Sequence, residues 1–306
     1  MIMDHDGSLD DLLSLLLLSR YRSVDLLGVA ITPADCLIAP AVATTRRILD
    51  LTGREHVVAA AGTLTGPNPF PMAWRTDALR VAALPVLNRH TPLTTPTPDS
   101  SLPAHQQLAD WLRAADRPVT ILATGPLTNL AWCLEHHTTL IDAIEELVFM
   151  GGAFDVPGNV DEPGHDGSAE WNVYWDPAGA AKVFDSPIPI TVFPLDVTNT
   201  APVTDAFVRS FGTHYGNPVS DLAGSLLALS FGTLESTGIE YCCWDSLTTS
   251  YLAQPDLFSF DEVRCDIVTT GPSQGRTVAC AAGRPVRRAV SADPAGFYQH
   301  CVQTLT

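Results

Sequence analysis

The residues of this 306-residue chain that could do chemistry are concentrated at its start, where four aspartates fall within eight positions. They are Asp4, Asp6, Asp10 and Asp11, and a leucine-rich run follows them. A helix N-terminus favours a negative side chain by only about 0.3–1 kcal/mol, which is too little to hold four carboxylates together at the edge of a core. A hard cation with oxygen ligands would hold them together. The alternative is that these residues are solvated caps of an ordinary helix.

A strand, a turn and a helix must position these carboxylates. The pattern predicts a buried strand that ends near Asp4, a tight turn over Gly7 and a helix whose N-cap is Ser8. Strand-like and helix-like segments then alternate, which is typical of βαβ units and a mainly parallel sheet. We therefore predict an α/β fold in which a mostly parallel central sheet is flanked by helices, and the length allows one large domain or two smaller ones. In such sheets the ligand site lies beyond the carboxyl ends of the strands.

The individual segments follow from apolar periodicity and from turn residues. The further predicted strands are 24–32, 57–60, 119–123, 146–150, 188–193 and 263–269. The predicted helices are 38–51, 77–86, 104–115, 127–134 and 177–184, and residues 202–254 are predicted to be mostly helical. Residues 67–103 are predicted to be irregular apart from the helix at 77–86, residues 154–167 are predicted to form a loop, and a short hairpin is predicted to end the core.

Composition restricts the partners and the compartment. The net charge of −17 argues against nucleic acid and anionic membranes as partners. Seven cysteines without a C-x-x-C pair indicate a reducing compartment and no zinc knuckle. The start of the chain has no signal-peptide pattern, and the leucine run is too short to span a bilayer. We therefore expect a cytoplasmic protein.

Polar and aromatic residues recur just after the predicted strands or in the loops beyond them, and each also has a purely structural interpretation. Asp35 and Asp196 could cap loops, Asp245 could be an N-cap, and Met150 could fill the core. The two aromatic candidates, Trp74 and Trp244, could be packing residues. Their shared position at strand ends favours a functional interpretation.

Seven motifs occur in this order: Asp4-His-Asp6-Gly-Ser-Leu-Asp10-Asp11, Ala123-Thr124-Gly125-Pro126-Leu-Thr-Asn129, Met150-Gly-Gly-Ala153, Gly158-Asn159, Ala169-Glu170-Trp171-Asn172-Val-Tyr174-Trp-Asp176-Pro177, Leu195-Asp196-Val-Thr198 and Trp244-Asp245-Ser246-Leu247. Taken together, they resemble those of the nucleoside hydrolase family, also called inosine–uridine nucleoside N-ribohydrolases. They cover about the first 255 residues. The resemblance implies a single nucleoside hydrolase domain over residues 1–306, with a mostly parallel central sheet of the open, Rossmann-like kind that is flanked by helices.

The resemblance also implies roles for particular residues. Ca²⁺ would be the cofactor, and its ligands would be Asp6, Asp11, Asp245 and the backbone carbonyl of Thr124. Asp6 would also be the general base that activates a calcium-bound water. The ribose would be bound by Asp10, Met150, Asn159, Glu170 and Asn172. An all-oxygen ligand set suits calcium better than zinc, and a carboxylate-activated water is a suitable nucleophile for an N-glycosidic bond.

The sequence departs from the family pattern at two places. The usual Asp-Pro-Gly turn is Asp6-Gly7-Ser8 here, and Trp244 stands where many members carry a histidine that acts as acid for the leaving base. Tryptophan offers a face for stacking instead. This resembles the purine-preferring branch, which is specific for inosine, adenosine and guanosine.

In that branch, stacking raises the basicity of the purine, which is then protonated from solvent. The resemblance implies that Trp74 and Trp244 sandwich the base, that Trp244 thereby takes part in catalysis, and that Asp35 faces the base. We therefore predict hydrolysis of purine ribonucleosides in purine salvage, with a small nucleoside as the substrate and a homodimer as the assembly.

Two other function classes remain open at this point. The opening motif also looks like that of haloacid-dehalogenase-type phosphatases, in which Asp4 would be the nucleophile and Mg²⁺ the metal. That family needs a later lysine followed by an acidic pair, and the only lysine here is Lys182, which no such pair follows. The second class is a calcium-dependent nucleoside-binding protein that has lost turnover.

Overall fold

The computed structural model describes residues 1–90, 97–230 and 240–306, and within them nine strands form one sheet. In chain order they are β1 (Ile2–His5), β2 (Gly28–Ile31), β3 (Val58–Ala61), β4 (Val119–Ala123), β5 (Ile144–Met150), β6 (Ile190–Phe193), β7 (Phe258–Ile267), β8 (Thr277–Ala279) and β9 (Arg284–Ala292). Their order across the sheet is β3-β2-β1-β4-β5-β6-β9-β7-β8. The first seven strands in that order are parallel, whereas β7 and β8 are antiparallel to their neighbours. The predicted α/β fold with a mostly parallel sheet is confirmed.

Helices pack on both faces of the sheet. The α-helices are Leu9–Arg20, Ile38–Leu51, Met72–Arg75, Asp77–Ala82, Pro85–His90, Ala104–Ala114, Thr128–His136, Trp171–Trp175, Pro177–Asp185, Leu195–Thr198, Asp205–Gly212, Pro218–Ser230, Trp244–Ser250 and Pro294–Leu305, and the 3₁₀ helices are Thr138–Ala143 and Pro255–Leu257. Successive residues of a strand point to opposite faces, so Met3 joins one hydrophobic core and Ile2 the other. In the part of the chain that the structure describes, no helix has the length and apolar character needed to cross a membrane.

The start of the chain folds as predicted. Gly7 has a φ of +82°, a left-handed conformation that glycine adopts without steric cost. Ser8 is the N-cap of helix Leu9–Arg20, and with Asp11 it forms a capping box. Every residue of that helix except Arg20 is buried, and most of them are leucines. A helix that is apolar on nearly every side is expected in a core, and here it fixes the aspartates at the edge of one.

The C-terminal part of the fold was predicted less well. In place of one strand at 263–269 and a short hairpin, the structure has three strands, and β9 lies between β6 and β7. Only Val286 and Ala289 of β9 are buried, and three of its nine residues are arginines, so it lacks the continuous apolar run of the central parallel strands. The helix Pro294–Leu305 was not predicted.

Elsewhere the predicted boundaries are close. Helix Ile38–Leu51 and strand β4 have the predicted bounds. Strand β2 is shorter than predicted, because residues 22–23 form a turn and residues 24–27 form a connection before it. The predicted irregular stretch contains three short helices in place of one. Residues 91–96 of that stretch and residues 231–239 of the predicted helical region lie outside the described residues.

Candidate active site

A pocket opens at the carboxyl ends of β1 and β4, where the strand order reverses. Asp4 pairs with Ala123 in the parallel register of these strands, so the segments that follow them lie side by side. Crevices at such switch points are the usual ligand sites of open α/β sheets. The pocket encloses about 660 Å³, part of it open to solvent, which suits a small molecule. Its lining residues are Asp6, Ser8, Asp35, Phe70, Trp74, Thr124, Met150, Asn159, Glu170, Trp171, Asn172, Tyr241, Trp244 and Asp245.

The structure therefore brings together ten of the twelve residues to which the sequence analysis gave a role in the site. The two exceptions are Asp10 and Asp11, which lie behind the pocket wall. Four lining residues were not predicted: Ser8 as a pocket residue, Phe70, Trp171 and Tyr241.

The carboxylates of Asp6, Asp11 and Asp245, which we call the acidic cluster, come from distant parts of the sequence and meet at the pocket, with Asp6 and Asp245 in its lining and Asp11 directly behind them. The side chains of Asp6 and Asp11 lie within hydrogen-bonding reach of each other. Ser8 connects Asp11 to Asp245, because its backbone N–H donates to Asp11 Oδ2 (2.9 Å) and its hydroxyl donates to Asp245 Oδ2 (3.4 Å). Thr124 completes the group: its hydroxyl donates to Asp11 Oδ1 at 2.5 Å.

Burial disfavours ionisation of the carboxyl groups that line the pocket. Burial, and after it the neighbouring Asp11 carboxylate, raises the pKa of Asp6 well above its usual range. The same two causes raise the pKa of Asp245 and that of Asp35, which also lines the pocket. None of the lining residues in the described part of the chain is a lysine, an arginine or a histidine. No positively charged side chain of the lining therefore offsets this charge.

Asp10 is turned away from the pocket. Its Oδ2 accepts the backbone N–H of Asp245 at 2.5 Å and that of Ser246 at 3.2 Å, and its Oδ1 accepts the Ser246 hydroxyl at 2.5 Å. Asp10 thereby caps helix Trp244–Ser250 and holds Asp245 against the N-terminal cluster. Burial raises the pKa of Asp10 to about 7, although these hydrogen bonds lower it. The predicted contact of Asp10 with ribose hydroxyls stays a prediction.

One wall of the pocket consists of polar residues that follow β5. The Glu170 carboxylate accepts backbone N–H groups of Asn172 (2.8 Å) and Gly152 (3.0 Å), so it is fixed at the start of helix Trp171–Trp175. Burial raises the pKa of Glu170 to about 7. Asn172 donates to the backbone carbonyls of Thr124 (2.9 Å) and Met150 (3.1 Å), which ties the ends of β4 and β5 together.

Aromatic rings form two further parts of the lining. Phe70, Trp74 and Trp171 form one group, in which Trp74 meets the other two rings edge to face, with centroids 6.3 and 5.4 Å away. Trp244 and Tyr241 form the other, with centroids 4.8 Å apart. Both predicted tryptophans therefore reach the pocket, and Trp74 lies on the short helix Met72–Arg75.

The residues that the sequence analysis missed had weak signals. Trp171 lies inside the Ala169-Glu170-Trp171-Asn172 motif, but an isolated aromatic is usually a packing residue. Tyr241 lies three positions before Trp244, and its hydroxyl accepts the backbone N–H of Asp10 at 3.2 Å. That contact joins residues 231 positions apart, so no local pattern could indicate it.

The donor set of the cluster fits a hard cation. All side-chain ligand atoms there are carboxylate or hydroxyl oxygens, and calcium and magnesium prefer oxygen ligands. The carboxylates are buried, and no described residue of the lining is cationic. Within residues 1–90, 97–230 and 240–306, however, no group of three or more His, Cys, Asp or Glu side chains has the spacing of a preformed metal site. Both Asp11 oxygens accept hydrogen bonds, and the Thr124 carbonyl accepts one from Asn172. The Asp11 carboxylate and the Thr124 carbonyl would have to turn to bind an ion.

Comparison with known proteins agrees with this geometry. The family model of inosine-uridine preferring nucleoside hydrolases matches residues 1–299. The chain therefore belongs to the nucleoside hydrolase family, enzymes that cleave N-glycosidic bonds. The crystal structure of an inosine-uridine preferring nucleoside hydrolase from Bacillus anthracis is 37% identical, with a TM-score of 0.93 over 99% of this chain and 98% of that one.

Relatives differ in the substrates that their names state. A pyrimidine-specific ribonucleoside hydrolase RihA from Photobacterium profundum is 31% identical over 88% of this chain and 84% of the relative. RihA from Shewanella woodyi is 30% identical over 99% of this chain and 97% of the relative. A purine-preferring ribonucleoside hydrolase from Gardnerella vaginalis shares the fold, with a TM-score of 0.81 over 99% of this chain and 97% of that one, at 21% identity.

Proposed function

We propose that this protein hydrolyses purine ribonucleosides to ribose and free base with the help of a bound Ca²⁺. The observation that carries the proposal is the joint lining of one pocket by an acidic cluster and by two groups of aromatic rings, with no histidine among the described lining residues. The acidic cluster suits a cation and a sugar, and the rings suit a flat base. Family members that carry a histidine acid at the position of Trp244 would not be expected to combine an acidic cluster with two aromatic groups in a lining without histidine.

We infer that Asp6, Asp11, Asp245 and the carbonyl of Thr124 would hold the cation. When bound, such a cation supplies charge neutralisation for the carboxylates and makes nearby water more acidic. The proposal needs Asp11 to exchange its present hydrogen bonds for the ion. Such an exchange is small in extent, because Ser8 and Thr124, which donate those bonds, are themselves parts of the cluster.

Asp6 is the proposed general base. It is a buried carboxylate in the pocket lining, so it can accept a proton from a water that lies beside the substrate. It takes a proton from the attacking water, whose oxygen bonds to the anomeric carbon of the ribose. The bond from that carbon to the base nitrogen breaks, and its electron pair leaves with the base. Positive charge develops on the sugar in between, and the surrounding carboxylates stabilise it.

The remaining lining residues would bind the two halves of the substrate. Glu170, Asn172, Asn159 and Met150 form the wall that we assign to the ribose, and Asp10 would join them if its carboxylate turned from the helix it caps. Trp74 and Trp244 would stack on the base, and Asp35 would face it. The leaving base would take its proton from solvent, since stacking raises the basicity of a purine.

A pyrimidine ribonucleoside is the second candidate substrate. It is favoured by the two RihA relatives, which are 31% and 30% identical over most of the chain and are named pyrimidine-specific. The phosphatase alternative has no support in the described pocket, because Lys182 forms an ion pair with Glu135 at 2.7 Å and does not line it. A homodimer, a cytoplasmic location and a role in purine salvage stay predictions.

The test is a reducing-sugar assay on inosine, adenosine, guanosine, uridine and cytidine, with the Asp6→Asn variant as the blank. The proposal expects kcat/KM for at least one purine nucleoside to exceed that for uridine and cytidine about tenfold or more. A preference for uridine or cytidine would establish the second candidate. Binding of inosine by calorimetry without release of ribose from any nucleoside would indicate a binding protein.

A further inference from the structure

Among the residues that the structure describes, the indole of Trp244 makes one polar contact, and its partner lies outside the pocket lining. Its Nε1–H donates to the side-chain oxygen of Asn199 at 2.8 Å. Asn199 directly follows helix Leu195–Thr198 at the end of β6, and 45 positions separate it from Trp244. The side chain of Asn199 is exposed, so the contact does not come from packing of the core.

The backbone at Trp244 is held in place by contacts other than the one with Asn199. The neighbouring backbone N–H of Asp245 donates to Asp10 at 2.5 Å, and Trp244 begins its helix. The indole packs beside the buried Met150, Ala153 and Leu195. Apolar contacts of this kind are non-directional, so they locate the ring without choosing which edge points into the pocket.

The hydrogen bond to Asn199 supplies that direction. The indole N–H is the only polar group of tryptophan and can only donate. Because Asn199 lies outside the pocket lining and holds this N–H, the ring can offer its face to a ligand but cannot donate a hydrogen bond to it. A face without a donor favours large flat rings over small rings that need specific hydrogen bonds.

We propose that Asn199 is a positioning residue that orients the Trp244 indole and thereby sets the preference for purine over pyrimidine nucleosides. This inference rests on the proposed function and deepens it. A purine has two fused rings and overlaps more of the indole face than a pyrimidine does, so loss of the orientation lowers purine turnover more. The net contribution of one hydrogen bond corresponds to an effect of about two- to tenfold.

The test compares Asn199→Leu, which removes the acceptor at similar volume, with Asn199→Asp, which keeps an acceptor oxygen. Asn199→Leu should lower kcat/KM for inosine about two- to tenfold, mainly through KM, and change that for uridine less than about twofold. Asn199→Asp should retain the wild-type ratio. Combined with Trp244→Phe, which has no donor, Asn199→Leu should cause no further change in the ratio, because the contact is already absent.

Three results would overturn the inference. They are an unchanged inosine-to-uridine ratio in Asn199→Leu, an equal loss for both nucleosides, and an undiminished effect in the Trp244→Phe background. The wild-type protein separates this failure from failure of the proposed function. A wild type that prefers uridine, or that releases no ribose, overturns both, whereas a wild type that prefers inosine with any of the three results overturns the role of Asn199 alone.

Discussion

Replacement of Trp74 by alanine should weaken the hydrolysis of inosine more than that of uridine. Trp74 is half-buried and meets Phe70 and Trp171 edge to face, at interplanar angles of 67° and 74°. Neither ring is stacked flat on Trp74, so a face of its indole remains available to a base. A base stacked on an aromatic side chain contributes about 1–3 kcal/mol by alanine substitution.

The magnitude follows from what the substitution leaves behind. Phe70 and Trp171 remain in the pocket lining and retain part of the aromatic surface, so we expect the lower part of that range. About 1–2 kcal/mol corresponds to a kcat/KM for inosine about 5- to 30-fold lower. Loss of two aromatic contacts, each worth about 0.5–1.5 kcal/mol, should also lower Tm by a few degrees.

Trp132→Ala is the matched control. Trp132 also packs between aromatic rings, with His136 stacked at 4.3 Å and His105 edge-on at 4.4 Å, but it does not line the pocket. It should lose a similar amount of stability and keep both kcat/KM values. Steady-state kinetics on the two nucleosides and thermal unfolding measure these quantities. If Trp74→Ala leaves kcat/KM for inosine within about twofold of the wild type, or lowers kcat/KM for both nucleosides equally, the predicted stacking of Trp74 on the purine base is wrong.

Three further predictions concern the acidic cluster. Asp6→Ala should lower kcat about 10²–10⁴-fold, the usual contribution of a general base, with an unchanged circular dichroism spectrum; retained turnover would exclude Asp6 as the base. Gly125→Ala would place a Cβ 2.9 Å from both Cβ and N of Asp6, so it should displace Asp6 and lower kcat/KM about tenfold or more. The control Gly212→Ala, whose added Cβ meets nothing within 4 Å, should leave kcat/KM unchanged. Equal activities of the two variants would show that the close approach of Gly125 to Asp6 is unimportant. Burial raises the pKa of Asp10 and of Glu170 to about 7. Between about pH 4 and 7 the metal-free folded state therefore binds more protons than the unfolded chain. Its free energy of unfolding should decrease as the pH rises through that range. Added Ca²⁺ should therefore raise Tm more at about pH 8 than at about pH 5, and a larger shift at the lower pH would contradict the cluster as its site.

The sequence was sufficient to predict the parts of the site that depend on local patterns. Asp6 and Thr124 closely follow parallel strands, and the apolar runs before them identify those strands. Because parallel strands have their carboxyl ends at one edge of a sheet, the residues that follow them could be predicted to lie close together. The N-cap Ser8 follows from the same local chemistry.

Contacts between distant segments could not be predicted in this way. The carboxylate of Asp10 accepts a hydrogen bond from the backbone N–H of Asp245, which is 235 positions later. These two groups meet only because helix Trp244–Ser250 packs against helix Leu9–Arg20. The aromatic group around Trp74 combines a proline-rich segment with Trp171, and each ring alone looks like a packing residue. The insertion of β9 between β6 and β7 likewise depends on long-range pairing, which local patterns do not encode.

The central claim is that carboxylates from both ends of the chain hold one cation on which hydrolysis depends. Ribose release from inosine, measured on protein stripped with a chelator and again after Ca²⁺ is restored, tests it most directly. We expect that stripping abolishes turnover, that Ca²⁺ restores it, and that Asp245→Asn needs far more Ca²⁺ for recovery. Full turnover after stripping, or recovery in Asp245→Asn at the wild-type Ca²⁺ concentration, would contradict it.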